Sequence, residues 1–441
     1  MFKIPEECLG AKLLIFDLFC GMDGLGHSLD LLGTSECFPS QAVCLLFEVD
    51  GRCRKLLAVH RVRSGIILSS LRDLEGVEGS ALAPSEGSEG IFENILSQLP
   101  ALQLILLVSG SPCVGFSVAL GHSVRTGIRH SQSEKLWSVP VALARLRRLS
   151  DRMFSTPVSI VFLAENVDMS ERPSDVANRD AISRTMGVEH VLIPASRVCM
   201  TERLRSYWTN LRVPDLLPLV LDAGSVLDSG WRPLWEFPSG IRQPDKRFST
   251  FLRPFKPGFP EEFPAPFRRL PLSAYSDRGL VYRSDVSGDN LRLLEDLVVS
   301  CVRIKTTNIR VKGSPAILAR IRLAEEIHVR GADQFLRPLN GRERDLSLGF
   351  PAGASSLPED STEGFLWEPL EASGNAFVVP VIAHILQPLA KFLLQADSPL
   401  PELLPGFPSV LTREEALVSL TPEPTSGNKL HRSGKSRTVA Q

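Results

Sequence analysis

The sequence predicts an α/β fold built on a mainly parallel sheet, and three observations carry that expectation. Strand-like apolar runs at Leu13–Phe19, Val43–Phe47, Leu104–Val108 and Ser159–Ala164 alternate with stretches of helical periodicity, the pattern of βαβ units. Leu104–Val108 is apolar at every position, as a strand buried on both faces must be. Each run also ends in chemically active residue types: Cys20-Gly21 after the first, Glu48 after the second, Ser111-Pro112-Cys113 after the third and Glu165-Asn166 after the fourth. In open α/β sheets the carboxyl edge of the strands is where ligands bind.

Composition bounds the rest. A chain of 441 residues has room for two or three ordinary domains, or for one large α/β domain with an insertion. Its 43% hydrophobic and 22% charged residues are those of a globular core. A net charge of −1 gives no global attraction to nucleic acid, so any such site must be a local basic surface. The eight cysteines, at 8, 20, 37, 44, 53, 113, 199 and 301, form no Cys-x-x-Cys pair. That spacing argues against a zinc site or disulfide framework and for a reducing compartment, with no metal expected. MFKIPEECLG does not read as a signal peptide, and the longest apolar run, around Leu99–Val108, is too short to span a bilayer. A secreted or membrane-spanning chain is therefore not expected.

Taken in order, Leu13–Phe19 is a strand, and Cys20-Gly21-Met22-Asp23-Gly24-Leu25-Gly26 turns it into an amphipathic helix running to Leu32. Val43–Phe47 is a second strand, ending at Glu48, and Gly65–Leu71 a short third. Glu75–Gly90, rich in Gly, Ser and Glu, is a loop without periodicity. Ile91–Leu99 is a short helix ahead of the central strand. Val139–Leu149 is helical, and His190–Pro194 and Arg205–Leu211 are later strands. From Val213 to about Arg330 the texture changes. Pro and Phe crowd Trp231–Pro271, with eight basic residues against four acidic ones, and the stretch reads as an irregular insertion. Val302–Thr307 has strand composition. Asn340 is an N-cap with Glu343 at the capping-box position. Val378–Leu394 carries apolar residues at helical spacing, with Pro380 in the first turn, where proline is tolerated. Beyond Ser398, Pro, Ser and Thr dominate, as in a loose tail.

The first glycine turn, between a strand and a helix, lets backbone amides approach a nucleoside-type ligand. Taken singly, each residue also has an ordinary structural reading. The glycine turn can serve packing, Glu165 can bond backbone amides, Arg203 and Arg205 can be surface charges, and Asn375 can cap a helix. It is the ordered set that speaks: Asp17-Leu18-Phe19-Cys20-Gly21, Gly110-Ser111-Pro112-Cys113, Glu165-Asn166-Val167, Arg203-Leu204-Arg205 and Gly374-Asn375.

This set resembles the DNA cytosine-5 methyltransferases, and within them is most similar to the type 3, de novo branch. Support for that branch comes from the Ser-Pro-Cys triplet, from Arg179–Leu211 ending in ERLRSYWTNL, and from Val302–Thr307. Glu343-Arg344 with Leu348-Gly349-Phe350-Pro351, and the closing GNAFVVPVIAHILQPL, add to it. The resemblance covers roughly residues 12–212 and 300–395. It implies a Rossmann-like, S-adenosylmethionine-dependent methyltransferase fold with an inserted target-recognition region. The implied parts are a first catalytic segment at 12–212, the recognition region at 213–335, a closing catalytic segment at 336–397 and a flexible tail at 398–441.

The implied chemistry matches what the residue types can do. Cys113 would be the thiolate that adds to carbon 6 of cytosine and makes carbon 5 nucleophilic. Glu165, protonated or sharing a proton through burial, would hydrogen-bond ring nitrogen 3. Arg205, helped by Arg203, would hold the base oxygen and stabilise developing negative charge. S-adenosylmethionine would lie along Phe19, Cys20, Gly21, Met22 and Gly24, with its ribose on Glu48 beside Val49. Ser70, Leu71 and Pro112 would line the same pocket, and Asn375, Ala376 and Phe377 would close it. The partner implied is duplex DNA, with the target base flipped out of the stack. The candidate DNA-gripping residues are Arg242, Lys246, Arg247 and Arg253 in the insertion, with Arg303 and Lys305 in the strand-like stretch. Arg125 and Arg129 follow the nucleophile. The location implied is the nucleus in a eukaryote and otherwise the cytoplasm, with room for homo- or hetero-oligomers through the methyltransferase domain.

The chain departs from the family pattern in three places. Ser70 stands where the family offers an Asp to the adenine amino group, and Val114 follows the nucleophile where a polar residue is common. The 213–300 segment is longer than in type 3 enzymes. Two other readings remain. An RNA cytosine methyltransferase of the same fold is one, though its relatives carry Pro-Pro-Cys and a Cys-Phe-Thr signature not found here. A non-catalytic member acting as a DNA-binding scaffold or stimulator is the other; the intact Cys113, Glu165 and Arg205 speak against it and Ser70 for it.

Overall fold

The apolar strands assemble as their buried character requires. The computed structural model describes residues 3–33, 42–60, 66–68, 91–113, 115–116, 126–131, 133–170, 173–215, 222–237, 248–249, 280–305, 323, 326–327, 329–358, 376–394, 398–410 and 413–420. Strands β1 (Leu13–Leu18), β2 (Ala42–Phe47), β3 (Ile66–Leu68), β4 (Leu104–Gly110), β5 (Ser159–Val167), β6 (His190–Pro194) and β8 (Leu204–Thr209) form one seven-stranded sheet. The short strand β7 (Thr201–Glu202) lies just ahead of β8, outside this sheet. The sheet order is β3-β2-β1-β4-β5-β8-β6, with β8 antiparallel to both of its neighbours and every other pairing parallel. The fold class is that expected from the sequence, a Rossmann-like α/β sheet carrying an inserted region.

Alternation along the strands divides the core into two layers, because successive side chains leave a strand on opposite faces. Leu13, Ile15, Leu104, Leu106 and Val108 face α1 (Gly24–Leu31), α2 (Gly51–Val59) and a later helix described below. Leu14, Phe16, Leu18, Ile105 and Leu107 face α3 (Ile91–Ser97), α4 (Ser138–Met153) and α5 (Pro173–Met186). The chain winds outward from β1 through β2 to β3, then returns to β4 on the other side of β1. The carboxyl ends of β1 and β4 therefore bound the switch-point crevice in which doubly wound sheets bind ligands.

The inserted region is more regular than its composition suggests. Strands β9 (Trp231–Pro233) and β11 (Leu280–Arg283) form an antiparallel sheet with β12 (Leu336–Pro338), which lies just past the expected boundary at 335, and the sheet has a core of its own, which includes Trp235, Phe237, Tyr282, Leu294, Leu297 and Phe335. The two-residue strand β10 (Phe248–Ser249) pairs instead with β7. Val302–Thr307 is not a strand as far as it is described. Its residues 302–305 are the end of helix α6 (Gly288–Lys305), whose buried Leu294, Leu297 and Val298 set a helical period that overrides the β-branched composition.

Helix α7 (Gly341–Ser347) starts on the predicted capping box, with Asn340 accepting from the Glu343 amide and Glu343 reaching back to the Asn340 amide. Glu343 is fully buried and bound in two places by Arg337 of β12, at 2.7 and 2.9 Å, while Arg337 stacks on Trp231 of β9 at 3.9 Å. Asp228 accepts from Asn340 and Arg342 on the same joint. This fork ties the small sheet to the start of α7. Arg337→Ala leaves the buried carboxylate without its cation and is expected to cost about 3 kcal/mol. Arg337→Lys should recover little of it, because an ammonium cannot make the fork. Thermal melting of the two variants checks both expectations.

Helix α8 (Val379–Leu394) comes late in sequence but packs on α1 and shares a core with β1, as expected; Ser28 donates to the Val379 carbonyl at 3.0 Å. The expectation of a loose tail from Ser398 is corrected for the described residues 398–410 and 413–420. Leu403 bridges Leu211, Leu404 donates to the Asn210 carbonyl at 2.8 Å, and helix α9 (Arg413–Leu420) buries Ala416 and Leu420 completely. A proline-rich composition was compatible with a fixed, extended strap as well as with a tail. Residues 75–90 lie outside the described residues.

Candidate active site

The ends of four adjacent strands bring the candidate residues together. At the end of β1 the backbone is bent hard: Phe19 and Asp23 adopt left-handed conformations with φ of 60° and 58°, and Gly21 does so with φ of 57°. Two non-glycine residues in that region within five positions mark a conformation that the surroundings must enforce. Glu48, just past β2, supplies part of the restraint. Its carboxylate accepts from the Gly21 amide at 2.8 Å and from the Asp50 amide at 2.8 Å. Burial pushes the Glu48 carboxyl upward, and the amides of Asp50, Gly21 and Val49 hold it back. Cys20 and Met22 are buried beneath the turn, whereas Val49 is 62% exposed at its rim.

Phe377, which precedes α8, closes the turn from the other side. Its ring lies where a side chain on Gly24 or Gly110 would have to be, so it packs directly on the backbone of both. Ala376 and Phe377 are buried. Ser70, Leu71 and Asn375 lie outside the described residues, so their expected places in the pocket stand as sequence expectations.

Asp17 opens the motif Asp17–Gly21, and the motif by itself gives it no place in the site. Asp17 is fully buried in β1, and neither carboxylate oxygen has a hydrogen-bond partner among the described residues. Burial pushes its carboxyl well above the usual range, and the nearby Asp23 and Glu48 push it further. An acid inside the otherwise apolar run LLIFDLF was the available signal. A buried acid without an internal partner is costly. Set beside a strained glycine turn, it suits a ligand that carries positive charge, as S-adenosylmethionine does, and the residues present therefore fit that donor.

Across the switch point, β4 runs into Ser111-Pro112-Cys113. Ser111 is buried, and Pro112 and Cys113 are partly exposed. Asn166 at the end of β5 donates to the Ser111 hydroxyl at 3.2 Å, which fixes the turn against the next strand. Glu165 and Arg205 form an ion pair, Nε to Oε1 at 2.8 Å, with side chains only 10% and 12% exposed. The antiparallel β5–β8 register makes this possible by placing Val167 opposite Arg205 and Glu165 opposite Tyr207. Glu165 is thus paired with a cation as well as buried. Arg203 is buried beside them. Desolvation and then Arg205 bring its guanidinium down to about 10, while Glu165, Tyr207 and Cys113 act in the opposite direction. It remains a cation at neutral pH and feels Cys113 directly. A buried cation whose charge reaches a partly exposed thiol is the kind of surroundings in which a thiolate is favoured.

Of the expected DNA-gripping residues, Arg129 is exposed in a 3-10 turn, Gly127–Arg129, that follows Cys113 in the chain. Arg303 and Lys305 fall at the end of α6. Arg125, Arg242, Lys246, Arg247 and Arg253 lie outside the described residues. Among the described residues no cluster of metal-binding types occurs, and no helix is long and apolar enough to cross a membrane.

No protein-family model and no curated protein matches this sequence. Among solved structures, the chain is similar to a triple mutant of DNMT2 from Spodoptera frugiperda at 14% identity, covering 85% of this chain and 98% of that one, with a TM-score of 0.44. It is likewise similar to the S. pombe Dnmt2 methyltransferase at 14% identity, covering 86% and 99%, with a TM-score of 0.44.

Proposed function

We propose that this chain transfers a methyl group from S-adenosylmethionine to carbon 5 of cytosine in duplex DNA, as a member of the type 3 branch of the cytosine-5 methyltransferases. The observation that carries the reading is the convergence of Cys113, Arg203 and the Arg205–Glu165 pair where the carboxyl ends of β4 and β5 meet the amino end of the antiparallel β8, next to the glycine turn. The donor would be held by Phe19–Gly24, Glu48 and Phe377, with Asp17 balancing its positive charge, and it supplies an electrophilic methyl group.

The chain's own residues do the rest. The Cys113 thiolate adds to carbon 6 of the flipped base, and the ring electrons move to carbon 5. A proton shared between Glu165 and ring nitrogen 3, with Arg205 holding the base oxygen, stabilises the charge that the ring gains. Carbon 5 takes the methyl group as the bond from that methyl to the donor sulfur breaks and a neutral thioether leaves; the carbon-5 proton then goes to solvent water, and the returning electron pair expels the Cys113 thiolate. The DNA substrate follows from Ser-Pro-Cys at the nucleophile, and a nuclear location would follow from that substrate in a eukaryote.

Transfer of a labelled methyl group to duplex DNA and to transfer RNA, side by side, tests the reading. Label in DNA is the expected result. Label in transfer RNA alone would move the substrate to RNA, and label in neither would leave the chain a binding protein.

Asp17 gives a second check with opposite signs on two observables. Because its folded-state pKa is raised, the stability that Asp17 contributes is present below the ordinary carboxylate range and is lost as pH rises through the folded value. Asp17→Asn should therefore melt higher than the wild type without ligand, increasingly so toward alkaline pH. The same variant should bind S-adenosylmethionine roughly tenfold or more weakly, the equivalent of one charge-assisted hydrogen bond. Melting curves across pH and calorimetric titration measure the two effects. A variant that loses stability and affinity together would make Asp17 a structural residue.

A further inference from the structure

The C-terminal strap and α9 are built onto the segment that carries the nucleophile. The strap, residues 398–410, is tied to the sheet through Asn210, whose carbonyl accepts from Leu404 while its side chain bonds Phe162 and Ile160 of β5. Phe407 meets Phe162 edge to face at 5.9 Å and is covered by the Arg147 guanidinium at 4.7 Å. At Gly406 the strap crosses the end of α5 so closely that a Cβ would overlap the Gly187 carbonyl oxygen. A backbone obstacle cannot move aside as a flexible side chain can. Both residues at the crossing are glycine, and Gly187 has φ of +73°.

The strap delivers α9 to α5, α4 and the 3-10 turn Ser133–Trp137. Ala416 and Leu420 are fully buried in the core layer that holds Phe116, Ile128, Leu136 and Trp137. That turn anchors the nucleophile's own loop. Ser133 Oγ accepts from the Gly115 amide at 2.8 Å, the Gly127 amide donates to the Gly115 carbonyl at 3.0 Å, and the Phe116 amide donates to the Cys113 carbonyl at 2.9 Å. A continuous path of packed and hydrogen-bonded groups therefore runs from α9 to Cys113.

We propose that the C-terminal strap and α9 are a positioning element that holds the base of the loop after Cys113, and so sets where the nucleophile stands. This rests on Cys113 being the nucleophile proposed above. None of the strap or α9 residues has been placed in the donor site or among the reacting groups, so their effect should fall on the chemical step and spare donor binding. Misplacement of a reacting group by about 1 Å can cost on the order of 100-fold in rate.

The test uses full-length chains carrying Gly406→Ala, which lifts the strap, or Leu420→Ala, which loosens α9. Three quantities are read: hydrogen exchange along the chain, affinity for S-adenosylmethionine, and the rate of covalent trapping by duplex DNA containing 5-fluorocytosine at saturating donor. The expected result is faster exchange in residues 115–137 with β1 and β4 unchanged, donor affinity within about twofold of the parent, and trapping slowed roughly 10- to 100-fold. Exchange that stays at the parental level in 115–137, or that rises equally across the sheet, would overturn the proposal, as would a parental trapping rate. If the wild type itself traps no cytosine, the proposed function fails, while the exchange arms still decide whether α9 holds this loop.

Discussion

Cys113→Ser is expected to lower methyl transfer by on the order of 10⁴-fold or more, since a hydroxyl in place of the thiolate removes the covalent route rather than weakening it. The substitution is nearly isosteric and Cys113 is partly exposed, so the fold should be unaffected. Donor affinity should stay at the parental value, because Cys113 lies across the switch point from the glycine turn that would hold the donor. Single-turnover methyl transfer and donor titration on the same preparation separate the two effects. A serine variant with parental turnover would place the nucleophile elsewhere.

Arg205→Ala should show the next largest effect, in stability as well as in rate. The Arg205–Glu165 pair is close to fully desolvated, and deleting one partner of such a pair leaves the other charge uncompensated, at a cost of about 3–5 kcal/mol. The same side chain is proposed to stabilise charge on the cytosine ring, and loss of one such donor typically slows turnover by about 10²–10³-fold. Adding Glu165→Gln to Arg205→Ala should restore part of the lost stability, because the carboxylate of the pair goes with its partner and only Arg203 stays behind as a buried charge, while activity falls further. That divergence distinguishes a pair serving chemistry from one serving only the fold. Melting temperatures and single-turnover rates of the single and double variants measure it. Parental melting of Arg205→Ala would show that the pair carries little energy.

The parts of this molecule that the sequence displays most openly are those with a strong physical constraint on residue type. A strand buried on both faces can hold little but apolar residues, so β4 is readable as Leu104–Val108, and the reactive residues at the strand ends follow from it. The Asn340–Glu343 cap is equally readable, because few residue types satisfy orphan helix amides. The small sheet of the inserted region was not legible: its strands β9, β11 and β12 are three or four residues long, too short for a period to emerge from a Pro- and Phe-rich background. Val302–Lys305 misleads by composition, since its β-branched residues end a helix whose register is fixed by Leu294, Leu297 and Val298 further upstream.

Two features of the site depend on contacts between distant segments, which local pattern does not encode. The Arg205–Glu165 pair needs the antiparallel β5–β8 register, although both residues were recognisable singly. The strap needs the crossing of Gly187 and Gly406, residues far apart in sequence whose fitness for each other is visible only once they meet. Asp17 is intermediate. An acid within an apolar strand is conspicuous, but its isolation from any partner among the described residues is a three-dimensional fact.

The most direct measurement of the central claim is a peptide map of the covalent complex formed with S-adenosylmethionine and duplex DNA containing 5-fluorocytosine. Fluorine at carbon 5 blocks the final proton loss, so the adduct should accumulate. The account predicts a single modified peptide, spanning Cys113, whose added mass equals one methylated fluorocytosine nucleotide. A modified peptide that contains another of the eight cysteines, or a wild-type chain that forms no adduct while still binding donor and DNA, would contradict it.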